Sequence, residues 1–448
     1  MKAATKRGKR GKPAKRARAR TRSRPLPPEY NMLLTATLCL LALGAVMVFS
    51  ASSTTRVLQD GGLSDSAFYL KRTLMFGVVG LVVMHLAARH GLKAVRNLTP
   101  LLLGVSIFLL MAVLVAGTEV NGATRWIGGG FLQVQPSELA KVALILYGVD
   151  LLARKPKRVR SLDGMMPFLL VVGASCLLIM LEPDMGTTMV ICFSVAATLI
   201  AAGARPADLG KVALVIGSLA LLMAVVEPYR MARLTAFLNP GADAAGAGFQ
   251  AAQAKIALGS GGLFGVGIGN GVQKAFYLPE AHTDMISAVI GEELGLVGIA
   301  GVVGLFAMFG YAGLKTAQKA KDRYSKLLVT GLTSLILVQA TINLFAVMGL
   351  APLTGVPLPF VSYGNSSLLV CLFAVGLILN VARGGTAGAA RAATPTGAGK
   401  LRVVQGGRAP ARERSRSSGA RKAKGGRGGG GNRRARGARH GGRRRASG

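Results

Sequence analysis

Long apolar runs dominate the chain and alternate with short polar connections. A run of about 17–25 apolar residues can cross the hydrocarbon core of a bilayer as a helix. Ten runs are predicted as transmembrane helices: about 31–50, 69–88, 98–117, 136–153, 166–181, 186–203, 211–227, 284–313, 327–348 and 365–382. The eighth is longer than a straight span needs, so we expect it to tilt or to continue past the membrane surface. The predicted fold class is therefore an all-α polytopic membrane protein.

Composition supports this prediction and places the charge at the two ends of the chain. Of 448 residues, 51% are hydrophobic and 16% charged, yet the formal net charge is +37. Residues 1–29 and 383–448 hold 12 and 19 of the 55 Lys and Arg residues. The body between them, 30–382, is far less charged than a soluble domain of its length. A water-soluble globule and a wholly disordered protein are therefore excluded.

Basic residues in the short loops predict the orientation. With the N-terminus in the cytoplasm, the cytoplasmic loops carry 15 Lys and Arg residues and the opposite side carries 8. This bias follows the positive-inside rule. We expect ten spans in the cytoplasmic membrane, both termini cytoplasmic, and a large extracytoplasmic loop over 228–283.

The tails, 1–29 and 383–448, have almost no aromatic or acidic residues and are expected to be disordered. Anionic lipid is the first partner expected for them, and an acidic cytoplasmic protein is the second. Dedicated nucleic-acid binding is not expected, because no aromatic residues are interleaved to stack on bases. The four cysteines lie in apolar runs without ligand spacing, which favours buried thiols over disulfides or a zinc site.

Two polar segments flank the predicted fourth to sixth spans on the non-cytoplasmic side. The first contains Arg125 and the spacing Glu138–Lys141, which suits an ion pair on one helix face. Arg125 and Lys141 could instead help hold an anionic headgroup. The second, Glu182–Thr188, has turn chemistry that explains Pro, Asp and Gly but does not require Glu182. Glu182 could therefore belong to the turn alone, or it could shape the site or hold a cation.

The long loop adds three further bases. Arg230, Arg233 and Lys274 could together bind a pyrophosphate, or could simply lie at the membrane interface. The run Gly259–Gly271 permits a close approach of the backbone to a ligand, although it matches no strict nucleotide motif.

The sequence around Asp284 carries the sharpest chemical signal. Glu280, His282 and Asp284 cluster where the loop meets the eighth span, so Asp284 could be a general base or only a helix N-cap. The segment Pro352–Ser367, with Ser362, Ser366 and Ser367, is expected to be irregular and to face a polar cavity open to the outside.

These segments resemble the SEDS (shape, elongation, division and sporulation) family of bacterial membrane glycan polymerases. The motifs that carry the resemblance are Val48–Ser52, Trp126–Gly129, Gln135–Lys141, Pro183–Gly186, Gly259–Lys274, Leu278–Asp284, Gly291–Gly298 and Leu358–Gly364 with Ser366 and Ser367. Glu-Ala-His-Thr-Asp at 280–284 is more similar to the division branch than to the elongation branch. The chain differs from the usual family pattern at Ala254, Met285, Ser287 and Asn365.

The resemblance implies a peptidoglycan glycosyltransferase that polymerises lipid II, the undecaprenyl-pyrophosphate disaccharide-peptide, into β-1,4 glycan strands. It implies that Asp284 is the essential acid and that inversion occurs at the donor sugar. The substrate-binding candidates are Arg125, Lys141, Arg230, Arg233, Lys274, Glu280, His282, Ser362, Ser366 and Ser367. No cofactor is certain, although Mg or Mn could compensate the leaving pyrophosphate. The implied partners are a class B penicillin-binding transpeptidase and other division proteins at the septum.

Two other functions remain open at this point. Intramembrane charges beside a wet cavity also suit a lipid II flippase, although the ionisable cluster is one-sided and no inverted repeat is visible. A division scaffold is compatible with the same sequence and predicts normal division when Asp284 is replaced.

Overall fold

The structure, a computed structural model, describes residues 26–59, 67–120, 123–129, 133–226, 231, 235–239 and 248–386. Its helices are α1 (Pro28–Gln59), α2 (Phe68–Ala116), α3 (Pro136–Arg154), α4 (Leu162–Leu181), α5 (Met185–Ala202), α6 (Pro206–Val226), α7 (Phe249–Ser260), α8 (Gln273–Phe276), α9 (Ile286–Lys319), α10 (Arg323–Val347) and α11 (Asn365–Ala382). An antiparallel pair of short strands, β1 (Thr118–Val120) and β2 (Ala123–Trp126), follows α2.

The architecture confirms the predicted fold class, a helical multi-pass membrane protein. Seven of the described helices are long and apolar enough to cross a membrane: α1, α2, α4, α5, α9, α10 and α11. The hairpin of β1 and β2 was not predicted, because its strands are only 3 and 4 residues long. Residues 1–25 and 387–448 of the tails, and 228–230, 232–234 and 240–247 of the predicted loop, lie outside the described residues.

The helical range α2 covers two predicted spans, 69–88 and 98–117. Tyr69, near its start, packs against Tyr363 just before α11, with ring centroids 4.8 Å apart. Asn380, near the end of α11, donates to the carbonyl of Ala88 over 2.9 Å. The first part of α2 is thus parallel to α11. Arg125, just beyond α2, lies back at the end of the bundle that holds Tyr69, so the range contains two passes rather than one straight rod.

The predicted eighth span is α9, which is broken at Gly295. This glycine has φ 65° and ψ −160°, outside helical geometry. The glycine-rich stretch 261–267 fills the break with backbone hydrogen bonds of 3.0–3.2 Å: Val266 N to Glu292 O, Gly267 N to Glu293 O, Leu296 N to Gly262 O, and Val297 N to Leu263 O. The expectation that these glycines approach a ligand is therefore corrected, since they approach the backbone of α9.

Replacing Gly295 tests this arrangement. A Cβ there would lie 2.4 Å from Gly265 N, and the positive φ also disfavours a side chain. We expect Gly295→Ala to lower the free energy of unfolding by about 1–3 kcal/mol. The matched control, Gly301→Ala on the same helix, has open space at its Cβ and should be neutral or slightly stabilising. Unfolding in detergent compares the two, and equal stabilities would contradict the kink.

Candidate active site

The connection between α10 and α11, residues 348–364, forms the centre of a polar end of the bundle. It is irregular over 352–358, as predicted. Phe360 and Gly355 have positive φ angles of 66° and 71°. Gly186, at the start of α5, packs so closely that an added Cβ would lie 2.5 Å from Thr354 O. The connection is therefore clamped between α5 on one side and the start of α9 on the other.

Asp284 lies beside this connection, half-buried, two residues before α9. An added Cβ on Gly355 would be 3.9 Å from Asp284 Oδ2. The Thr283 hydroxyl is 3.2 Å from Asp284 Oδ1 and 3.0 Å from Glu280 Oε2. The N-cap residue of α9 is Met285, and no side chain caps that helix. The capping alternative for Asp284 is therefore wrong, and its carboxylate stays at the edge of the connection.

Two buried amides fix the backbone around Asp284. Asn343 Nδ2 donates to Asp284 O over 2.7 Å and to Val356 O over 2.8 Å. Its oxygen accepts from the hydroxyl of Ser287. One turn earlier on α10, Gln339 Nε2 donates to Pro357 O over 3.0 Å. Asp284 and the connection are thus held to the same face of α10.

Lys141 supports Gln339 from α3. Its Nζ donates to Gln339 Oε1 over 2.9 Å and to Glu138 Oε1 over 2.9 Å. The predicted Glu138–Lys141 pair is confirmed, with both side chains almost fully buried. The Lys141 charge is neutralised within the protein, so contact with a substrate headgroup would require breaking this pair.

An aromatic group covers the other side of the Asp284 segment. The His282 ring centroid is 4.4 Å from that of Tyr69 and 5.5 Å from that of Tyr363. Tyr363 N donates to His282 O over 2.9 Å. Glu280 is exposed with φ 55°, a left-handed conformation that is uncommon for this residue type. His282 and Glu280 therefore lie on the rim of the polar end.

The three predicted serines bind protein groups rather than open space. Ser362 Oγ accepts from Leu358 N over 2.7 Å. Ser366 Oγ accepts from the backbone N of Gln135 over 3.2 Å, which joins α11 to the start of α3. Ser367 lies 3.4 Å from Gln339 Nε2. All three are buried and shape the connection from within.

Arg125 and Glu182 meet at the end of α4. Arg125 Nε donates to Glu182 O over 3.0 Å, and its Nη2 donates to Pro183 O. The Glu182 side chain is 0% exposed, and neither carboxylate oxygen has a hydrogen-bond partner among the described residues. The pKa of Glu182 is raised to about 8, mainly by burial and also by the Asp184 carboxylate, against a smaller lowering by Arg125. Asp184 itself caps α5 through Thr187 N.

The raised pKa of Glu182 predicts a pH-dependent stability. Between its ordinary pKa of 4.5 and the folded value of about 8, the native chain binds more protons than the unfolded chain. The free energy of unfolding should therefore fall as pH rises through this window. Glu182→Gln should flatten the dependence, while Asp163→Asn, at an exposed acid, should not. Unfolding temperatures at pH 5 and pH 8 measure this, and identical slopes for native and Glu182→Gln chains would contradict it.

Lys274 is buried in an ion pair away from this connection. Its Nζ donates to Glu293 Oε1, to Ser50 Oγ over 2.8 Å and to Gly269 O over 2.8 Å. The Lys274 and Glu293 side chains are 2% and 0% exposed. This corrects the prediction of a free charge for pyrophosphate. Arg230 and Arg233 lie outside the described residues, so their predicted role stays a prediction.

The comparisons with known proteins agree with this architecture. A model of the FtsW/RodA/SpoVE family, described as cell cycle proteins, matches residues 30–386. The chain belongs to the FtsW/RodA/SpoVE family. A probable peptidoglycan glycosyltransferase FtsW of Thioalkalivibrio sulfidiphilus is 43% identical over 361 residues, covering 78% of this chain and 88% of the relative. Stage V sporulation protein E of Bacillus subtilis is 40% identical over 355 residues, covering 79% and 96%.

Solved structures of the FtsW/RodA/SpoVE family share the fold. A chain of a peptidoglycan synthase complex that coordinates polymerization and crosslinking superposes with a TM-score of 0.64 at 29% identity. It covers 78% of this chain and 96% of its own length. RodA of Thermus thermophilus, a rod shape determining protein, has a TM-score of 0.57 at 28% identity, with 78% and 95% covered. The predicted resemblance to the SEDS family is thereby confirmed.

The contacts of Gln339, Asn343 and Arg72 were not predicted from the sequence. Gln339 and Asn343 are amides four residues apart inside an apolar span, so their spacing is a signal that could have marked one functional face. Arg72 donates to the Asn365 amide oxygen over 2.9 and 3.2 Å when that amide is oriented toward it. Only the parallel packing of α2 on α11 brings these two together, so no local pattern predicts the contact.

The described residues do not hold a group of three or more His, Cys, Asp or Glu side chains suited to a metal ion. The carboxylate pairs beside Arg125 and beside the connection are Glu182 with Asp184 and Glu280 with Asp284. Mg²⁺ is commonly bound by one or two carboxylates together with waters and substrate phosphates. A divalent cation here would therefore depend on the substrate for much of its coordination.

Proposed function

We propose that this protein is a peptidoglycan glycosyltransferase that polymerises lipid II at the outer face of the cytoplasmic membrane. The observation that carries the proposal is the half-buried Asp284 carboxylate beside Gly355, with its backbone clamped by Asn343. Family membership supports the reaction class, since relatives are named peptidoglycan glycosyltransferases.

In the proposed reaction, Asp284 accepts the proton of the acceptor sugar's 4-hydroxyl. The freed oxygen attacks the anomeric carbon of the donor N-acetylmuramic acid from the face opposite its α-linked pyrophosphate. A β-1,4 bond forms with inversion, and undecaprenyl pyrophosphate leaves with the bonding electron pair. Positioning by Asn343 matters because a general base must lie within hydrogen-bond reach of the proton it abstracts.

The leaving pyrophosphate needs positive charge near it. Lys141 and Lys274 form buried ion pairs, which leaves Arg125, Arg230 and Arg233 of the five basic residues predicted to bind substrate. Arg125 uses Nε and Nη2 on backbone carbonyls, so Nη1 remains to face a phosphate. Mg²⁺ or Mn²⁺ would supply further charge compensation if held by the substrate and a nearby carboxylate.

The proposed setting is septal synthesis during cell division, with a class B penicillin-binding transpeptidase as partner. The motif Glu-Ala-His-Thr-Asp at 280–284 and the relatives named FtsW support the division role. The structural likeness to a chain of a peptidoglycan synthase complex supports a crosslinking partner. In this orientation both basic tails face the cytoplasm, where anionic lipid or an acidic protein would meet them.

The experiment that tests the function is polymerisation of labelled lipid II by the purified chain with its cognate transpeptidase. Long glycan chains, resolved by gel electrophoresis, are the expected product. Lipid II translocation is measured in parallel with the chain reconstituted in vesicles. Translocation without polymer would favour a flippase, and neither activity from folded protein would favour a scaffold.

A further inference from the structure

A cavity of about 620 Å³ opens at the end of the bundle opposite Asp284. Its lining residues are Pro156, Lys157, Arg160, Ala201, Ala202, Gly203 and Arg323. Three of these are cationic and none is acidic. A concentration of uncompensated positive charge in one cavity favours an anionic ligand.

The walls of this cavity are held by packing and hydrogen bonds. Arg323 Nη2 donates to Ala202 O over 2.8 Å, which ties the start of α10 to the end of α5. Val159 is buried and anchors the short 3₁₀ turn that carries Arg160. Asp322, which precedes Arg323, accepts hydrogen bonds from Ser325 N and Oγ over 3.0 and 2.8 Å. Lys157, Arg160 and Arg323 form no ion pair within the part of the chain that the structure describes, so the cavity lining carries net positive charge.

The position of the cavity across the membrane indicates which leaflet supplies its ligand. Helix α5 begins at the polar end that holds Asp284 and ends at Ala202 in the cavity wall. Its 18 residues span about 27 Å at 1.5 Å per residue, close to the ~30 Å thickness of the hydrocarbon core. The cavity thus lies at the headgroup level of the opposite leaflet.

The neighbouring surface suits the apolar part of a lipid. Ile200, adjacent to the cavity on α5, is 63% exposed, and Phe193, two turns earlier, is exposed on the same face. These side chains offer a lipid-facing surface for an acyl chain beside a headgroup in the cavity. Basic pockets between transmembrane helices are known to bind anionic lipid headgroups.

We propose that this cavity binds the phosphate of an anionic phospholipid from the cytoplasmic leaflet. The site is distinct from the proposed lipid II site, because the two lie at opposite ends of α5. It is also distinct from general attraction of the basic tails to the membrane, since its cations belong to the folded body.

The test uses the full chain, delipidated and then titrated with phosphatidylglycerol or phosphatidylcholine, with bound lipid counted by native mass spectrometry. The cavity variant is Lys157→Gln/Arg160→Gln, because neither side chain makes a hydrogen bond or ion pair that the described residues depend on. Arg323 is left unchanged in this variant, because its hydrogen bond to Ala202 O caps the end of α5. The matched control is Arg89→Gln/Lys93→Gln, which removes the same charge from exposed bases at the same end of the bundle.

The cavity variant should retain phosphatidylglycerol at least about tenfold more weakly than the native chain, with an unchanged unfolding temperature. The control should stay within about twofold, because both variants keep the two tails. Millimolar inorganic phosphate should not displace the lipid. Equal losses in the two variants, equal retention of phosphatidylcholine, or displacement by free phosphate would overturn the proposal.

Discussion

Asp284→Asn is expected to reduce the rate of glycan polymerisation by about 10²–10⁴-fold. The asparagine preserves the size of the side chain and the carbonyl that accepts from Asn343, so the fold around Gly355 should persist. It removes only the ability to accept the proton of the attacking hydroxyl. Polymer yield from labelled lipid II under single-turnover conditions gives the change in rate.

A matched control separates the base role from a general loss of negative charge. Glu119→Gln removes an exposed carboxylate from the hairpin beside the same end of the bundle. It should leave the rate within about twofold of native. A correctly folded Asp284→Asn chain that polymerises at the native rate would show that another group accepts the proton.

Lys274→Met is expected to lower the free energy of unfolding by about 3–5 kcal/mol, the largest effect on stability among the predicted variants. The substitution leaves the Glu293 carboxylate buried with only the Ser50 hydroxyl as a neutral partner. An uncompensated charge in a buried position is far more costly than the loss of an exposed pair. Denaturant unfolding in mild detergent measures the change.

The double variant Lys274→Met/Glu293→Gln tests the cause of this loss. Removing both charges should recover much of the stability, because a neutral amide at 293 needs no counter-charge. Lys255→Met, at an exposed lysine of the same loop, should change stability by less than about 1 kcal/mol. If the double variant is no more stable than Lys274→Met, the pair is not the source of the effect.

Local periodicity and spacing predicted the features that depend on neighbours in sequence. The apolar runs marked the helices, and the three-residue spacing of Glu138 and Lys141 predicted their ion pair. The prolines at 352, 357 and 359 predicted an irregular connection. The position of Asp284 was also visible, since an acid where a loop meets a span is unusual, and its role as a base stays a prediction.

Features that depend on tertiary packing could not be predicted. Lys274 looked like a loop cation for a phosphate because its partner Glu293 lies within an apolar helix and Ser50 lies on α1. The glycine run looked like a ligand cradle for the same reason, as the break in α9 that it fills has no local signature beyond Gly295. The identity of a partner across the bundle is a property of packing, not of spacing.

The backbone pairing of 262–267 with 292–297 has a consequence for how this loop can vary. Main-chain atoms make these bonds, so the exposed side chains of Leu263 and Phe264 are open to replacement. The number of residues in this loop cannot vary in the same way. Inserting or deleting a single residue between 262 and 267 would shift every donor past its acceptor and displace Gly265 from the contact with Gly295. Related chains should therefore differ in residue type over 262–267 while keeping the same number of residues.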